Sequence, residues 1–190
     1  MLDFLVNIDR SLFFFFNGLH SPMFDVIMFK LTDGRAWTPL YLLVIFFLIK
    51  KWGWKSVIIL VLLGIVITID DRISSGILKP MVARLRPTHN PNIQDLVHTV
   101  NGYKGGMYSF VSSHAANAFG VATFLWLITR KKIAWIWVMF IYAIIFSYTR
   151  LYLGVHYPAD IICGALLGAS VGYGVYIVSM LLPDKFNPSA

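Results

Sequence analysis

Residues 158–182 read PADIICGALLGASVGYGVYIVSMLL, with a single charged side chain, Asp160, near the start. A membrane crossing needs ~20 mostly apolar residues at 1.5 Å rise per residue, and this stretch meets that need. The composition agrees. Of 190 residues 58% are hydrophobic and 13% charged, against about 25% charged in a soluble domain, so the excess apolar surface is expected to face lipid. Working outward, comparable stretches fall at about 35–51, 55–78, 112–129 and 133–149. The first stretch, roughly 4–32, is broken by Asn17, Gly18, Ser21 and Pro22 into two pieces. They read as an interfacial helix carrying Phe13 to Phe16 and a short sixth span from about Pro22 to Leu31, with a re-entrant hairpin as the alternative. The expectation is an all-α, polytopic transmembrane helical bundle of about six membrane helices, one membrane-embedded domain over residues 1–190.

The one long polar connection is 79–111, rich in Pro, Asn and Gly, between helices 3 and 4 of that count. A loop of this length in a compact domain usually carries function. Lys50, Lys51 and Lys55 mark one turn and Arg130, Lys131 and Lys132 another. The positive-inside rule makes their side cytoplasmic and the long loop external. As many cations fall on the outer half, among them Lys79, Arg84, Arg86 and Arg150, and several are expected to bind an anion. The chain carries 16 Lys and Arg against 9 acidic residues, all Asp, so its helices lack Glu-to-Lys ladders. Cys163 is alone. The start, Met-Leu-Asp-Phe, lacks the basic region and cleavage site of a secretory signal and is expected to stay in the mature protein.

Three clusters sit at outer helix ends: Lys79 with Arg86-Pro87; Val111-Ser112-Ser113-His114; and Thr149-Arg150 with His156-Tyr157-Pro158-Ala159-Asp160. Alternating helix direction is expected to bring all three to one membrane face. Their chemistry suits phosphoryl transfer through a histidine. Lys79, Arg86 and Arg150 supply positive charge, the Arg fork matching two phosphate oxygens. Ser112 offers a hydroxyl, and backbone N–H groups around Ser113 and His114 open a helix whose N-terminus attracts anions. His156, with Asp160 beside it to fix its tautomer, is the candidate nucleophile. His114 is the general acid and later the base. No metal or other cofactor is called for.

The pattern K-x6-R-P, then P-S-G-H, then S-R-x5-H-x3-D resembles that of the type 2 phosphatidic acid phosphatase (PAP2) superfamily, over roughly Asp70 to Asp160. The resemblance implies a membrane phosphatase in which His156 is the nucleophile and His114 the acid, with Asp160 beside the nucleophile. Lys79, Arg86, Ser112, Ser113 and Arg150 would bind phosphate. Two positions depart from the pattern: Ser113 stands where the family has glycine, and Thr149 where it has serine. By analogy with small bacterial members, the expected substrate is an isoprenoid diphosphate such as undecaprenyl diphosphate. Lipid A, phosphatidylglycerol phosphate and phosphatidate are rivals, and a non-catalytic lipid-phosphate binder or transporter is the rival class. The expected partners are the phosphorylated lipid and the bilayer, with no nucleic acid. The expected site is the bacterial inner membrane, opening to the periplasmic or extracellular side.

Other polar residues receive structural readings. Asp71, Ser75 and Lys79 share a face at four-residue spacing, so Asp71 is expected to position Lys79. Arg84 is expected behind the phosphate-binding residues, resembling an extra substrate cation, with a solvated face as the alternative. Asp70, Asp71 and Arg72 are expected to avoid lipid, and His20, His89 and His98 to lie outside the chemistry. Trp52, Trp54, Trp135, Trp137 and Tyr157 fit interfacial belts. Ala115, Ala116, Ala118, Gly120, Gly164, Gly168, Gly172 and Gly174 read as positions of close helix packing.

Overall fold

The computed structural model describes residues 2–188, and among these the named elements are helical. Helix α1 spans Leu2–Gly18, α2 Pro22–Leu31, α3 Thr38–Trp52 and α4 Lys55–Asp71. A π-helical turn, Arg72–Leu78, carries α4 into the short α5, Lys79–Val82. After the long loop come α6 (Ser113–Thr129), α7 (Val138–Tyr152) and α8 (Pro158–Met180). The starts follow local chemistry. Proline occupies the first turn of α2, α3 and α8, where its missing N–H costs nothing. Ser21 caps α2 through the Phe24 N–H at 3.3 Å. Gly53, at φ +55°, ends α3.

Helices α3, α4, α6, α7 and α8 run between two ends of the bundle. The segments Ala134–Tyr152 and Pro158–Met180 are each long and apolar enough to cross a membrane, with mean hydropathy 1.5 and 1.9. Leu42, Phe46, Val61, Ile144, Ile162 and Leu166 face outward, as in a bundle solvated by lipid, while Leu48, Ile59, Val66, Phe124 and Ile136 fill the interior. The two cationic turns meet at one end, where the Lys132 ammonium lies 4.8 Å from the Trp52 ring centroid. The long loop and the three motif clusters lie at the other end.

Helices α6 and α8 form the tightest pair. Gly164, Gly168 and Gly172 recur every fourth residue on α8, and a Cβ on Gly168 would collide with the Ala116 carbonyl oxygen. Gly172 abuts Gly120 in the same way. Lipid supplies no hydrophobic drive to helix pairing, so close backbone approach through small residues supplies the contact instead. Gly174, expected in this seam, faces open space. Asp70 is fully buried against Gly120, while Asp71 and Arg72 are exposed.

Three further expectations need correction. Pro22–Leu31 is not a sixth span. It is bent 111° from α1 and is ~15 Å long, half the ~30 Å hydrocarbon core. Both its ends touch the same end of the bundle: the Ser21 N–H donates to the Tyr152 hydroxyl and Thr32 meets Arg150. The hairpin alternative describes it better. Residues 55–78 do not form one regular helix, because the π-helical turn interrupts them. Tyr157 is not an interfacial residue. It is buried, edge-on to Phe13 and beneath the Arg84 guanidinium at 3.9 Å.

Gly168→Ala should force α6 and α8 apart at a cost of ~1–3 kcal/mol, the range for overpacking a close contact. Thermal melting in detergent should show a lowered Tm. An unchanged Tm would mean that the seam tolerates a methyl group.

Candidate active site

The three clusters are tied by backbone and side-chain bonds before any ligand is considered. Ser112 is the N-cap of α6, its hydroxyl accepting the Ala115 N–H at 3.4 Å. Its own N–H donates to the Asp160 carbonyl at 3.0 Å, fastening the start of α6 to the first turn of α8. His114 follows, its ring stacked on Phe146 at 5.1 Å between centroids. It lies within electrostatic reach of Lys79, Arg86, Arg150 and His156, so the two motif histidines share one end of the bundle.

Asp160 is wholly buried and heavily used. One carboxylate oxygen accepts the Tyr157 N–H at 2.8 Å, closing the cap of α8. The same oxygen faces His156 Nδ1 at 3.6 Å, beyond hydrogen-bond length but close enough to orient the ring. The other oxygen accepts from Arg84 at 2.8 Å, and Arg84 reaches on to Asp9 at 2.6 Å. Arg84 thus clamps Asp160 to α1, a place behind the phosphate-binding residues as expected of it. Burial pushes the His156 imidazole down to about 4, the Arg86 and Arg150 charges adding to the effect and Asp160 opposing it. The ring is neutral at pH 7, the state a nitrogen nucleophile requires.

The three cations are each held from behind. Arg86 is buried, with Nε donating to the Tyr108 carbonyl at 3.0 Å and Nη1 without a partner among the described residues. Gly105 lies against that guanidinium at φ +67°, so a side chain there would be both strained and in collision. Burial first, and Arg150 next, press Arg86 down to about 10, still charged at neutral pH. Arg150 is 2% exposed; it donates to Thr32 and, at 3.0 Å, to the Tyr103 hydroxyl, while its Nε is unpartnered among the described residues. Lys79 donates to Ser113 Oγ at 2.7 Å and to Ser75 Oγ at 3.3 Å. Asp71 accepts from Asn117 at 3.1 Å and acts on the Lys79 charge without hydrogen-bonding to it.

Several contributors were not legible in the motifs. Thr32, Tyr103 and Asp9 come from distant segments and carry no local signature. Gly105 stands in a Gly-Gly pair that marked only a turn. His98 bonds Asp25 at 2.9 Å and stacks on His20 at 3.7 Å, joining the loop to α2 away from the cations. Below His114 an apolar cavity of about 380 Å³ is lined by Tyr41, Leu48, Leu63, Val121, Tyr142 and Phe146. Phe146 belongs to both the cavity and the His114 stack.

Comparison with known proteins gives a consistent result. The model of the PAP2 superfamily matches residues 52–182. The chain is 42% identical over 189 residues to a lipid A 4'-phosphatase of Bacteroides thetaiotaomicron, covering 98% of this chain and 84% of that protein. A protein of the same name from Porphyromonas gingivalis is 35% identical over 97% of this chain and 78% of its own. An undecaprenyl-diphosphatase of Sulfolobus acidocaldarius is 32% identical over 82% of this chain and 79% of its own. Among solved structures, a PAP2-type phosphatidylglycerolphosphate phosphatase from Bacillus subtilis superimposes with TM-score 0.68 at 20% identity, over 95% of this chain and 88% of that one. It shares the fold.

In the free protein His156 should stay neutral from pH 7 down to about 4. Imidazole ¹⁵N shifts measured across that range should show no titration near 6.5. A midpoint there would mean that the ring is solvated.

Proposed function

The chain belongs to the PAP2 superfamily, and from that premise we propose that it is an integral-membrane lipid phosphatase acting through His156. The observation that carries the proposal is a neutral, buried imidazole beside a carboxylate, with the Arg86 and Arg150 charges acting on it. His156 Nε2 attacks phosphorus, the bond from phosphorus to the ester oxygen breaks, and His114 gives its proton to the leaving oxygen. Water then attacks the phosphohistidine, passing a proton to His114 as the P–N bond breaks and inorganic phosphate leaves. Lys79, Arg86, Arg150 and the Ser112 hydroxyl stabilise charge on the equatorial oxygens, where preorganised electrostatics does most of the work. These cations supply the positive charge, so the reaction is proposed to need no metal.

For the substrate we favour a phosphomonoester on a lipid A-type glycolipid. The support is two relatives bearing that activity in their names and matching 97% or more of this chain. The apolar cavity beside His114 suits a lipid whose tails stay in the bilayer while its headgroup meets the cations. An isoprenoid diphosphate, the substrate expected from the sequence, is the second reading, supported by the undecaprenyl-diphosphatase relative. By the positive-inside rule the site opens on the periplasmic face, opposite Lys50, Lys51, Arg130 and Lys131, with the inner membrane as the expected location.

Purified protein should release phosphate from lipid A with a higher kcat/KM than from undecaprenyl diphosphate, phosphatidylglycerol phosphate or phosphatidate, equally with and without chelator. A preference for the diphosphate would favour the second reading, and loss of activity on chelation would overturn metal independence. His156→Ala should abolish turnover, with a loss of at least ~10³-fold by analogy with other nucleophile deletions. Acid-labile radiolabel on His156 of the parent, trapped from ³²P-labelled substrate, would identify the intermediate. Turnover near the parent rate in that variant would remove His156 from the role.

A further inference from the structure

Ser113 stands where the motif carries glycine, and its hydroxyl is the most heavily bonded side-chain atom near Lys79. Ser113 Oγ accepts from Lys79 Nζ at 2.7 Å and from Ser74 Oγ at 2.9 Å, and lies 2.8 Å from Ser75 Oγ. A serine oxygen has two lone pairs and one proton. The first two bonds use both lone pairs, so the Ser113 proton must go to Ser75. Ser75 Oγ also accepts from Lys79 at 3.3 Å. No bond of the Ser113 hydroxyl is left for a phosphate oxygen. Lys79, with three N–H donors, spends two on Ser113 and Ser75 and keeps one.

The backbone makes this arrangement. Ser74 and Ser75 lie in the π-helical turn Arg72–Leu78, and both consecutive hydroxyls reach the same oxygen on α6. In a regular helix, neighbouring residues point about 100° apart. Single π-turns inside α-helices are frequent at functional sites. Here the turn aims two side chains at one target, and Lys79 leaves its end.

We infer that Ser113 is a positioning residue that acts through Lys79: with Ser74 and Ser75 it forms a hydroxyl cradle that fixes the ammonium with one N–H directed to phosphate. The inference rests on the reading of Lys79 as a phosphate-binding cation. It replaces the direct phosphate contact that the motif implies for position 113. A glycine there would leave Lys79, among the described residues, with the longer Ser75 contact as its one hydrogen bond.

The test is a double-mutant cycle on the full chain in detergent, with inorganic phosphate as the probe and its Kd measured by calorimetry. Ser113→Ala should weaken phosphate about tenfold, the size of a lost hydrogen bond to a charged group. Lys79→Gln should weaken it at least as much, and the double variant should bind like Lys79→Gln alone. Ser113→Thr, which keeps the hydroxyl, should stay near the parent. With the lipid substrate, Ser113→Ala should raise KM more than it lowers kcat. Ser75→Ala, at an exposed position, should give a smaller loss of the same kind and serves if Ser113→Ala does not fold. Independent, additive losses from Ser113→Ala and Lys79→Gln would overturn the inference, as would parent-like binding by Ser113→Ala while Lys79→Gln is impaired. A parent that binds no phosphate would overturn the functional reading and this inference with it.

Discussion

A single buried carboxylate holds this end of the molecule together. Asp160 caps its own helix through the Tyr157 N–H, anchors α6 through its backbone carbonyl, faces His156, and pairs with Arg84, which pairs in turn with Asp9. An ionised group taken out of water must be compensated by partners or it destabilises the fold. Here each partner is also a positioning element: Tyr157 sets the turn, Ser112 starts the helix that presents His114, and Arg84 ties α1 across the top. The charge that aligns the imidazole is thus the charge that assembles the helix ends.

The cations impose the opposite constraint. Lys79, Arg86 and Arg150 act on one another repulsively, so without rigid support they would splay apart. Support comes from neutral groups: the Tyr108 carbonyl behind Arg86, Thr32 and Tyr103 behind Arg150, and hydroxyls behind Lys79. Neutral acceptors fix a cation without cancelling its charge. A carboxylate in any of these places would neutralise the field that the proposed reaction needs. The acidic residue nearest in sequence to Lys79, Asp71, hydrogen-bonds Asn117 and acts on Lys79 only through its charge.

How much of this was legible follows from the range of each signal. Long apolar stretches and cationic turns are local features, and they marked α3, α4, α6, α7 and α8 and the end of the bundle where the cationic turns meet. Spacing within each motif is local too, and alternating helix direction was enough to bring the three clusters to one end. The failures are non-local. A ten-residue apolar segment reads alike as a short span or half of a hairpin, and only its contacts with Tyr152 and Arg150 separate the two. Four-residue spacing from Asp71 to Lys79 assumed a regular helix; the π-turn breaks it, and Asp71 acts on Lys79 through its charge with no hydrogen bond. Arg84 in a loop does not declare that its partners are 75 and 76 positions away. Tyr157 looked like a belt aromatic because nothing nearby in the chain reveals that α1 covers it.

The amino-terminal hairpin carries a consequence for biogenesis. Asp9 accepts the Ala159 N–H across 150 positions, and Asn17 donates to the Leu151 and Tyr152 carbonyls across 134 and 135. Helix α1 therefore gains these partners only after α7 and the start of α8 have been made, although Arg84 and His98 offer it earlier contacts. Thr32 likewise waits for Arg150, so the cation cluster is assembled only once the chain has been made through α7.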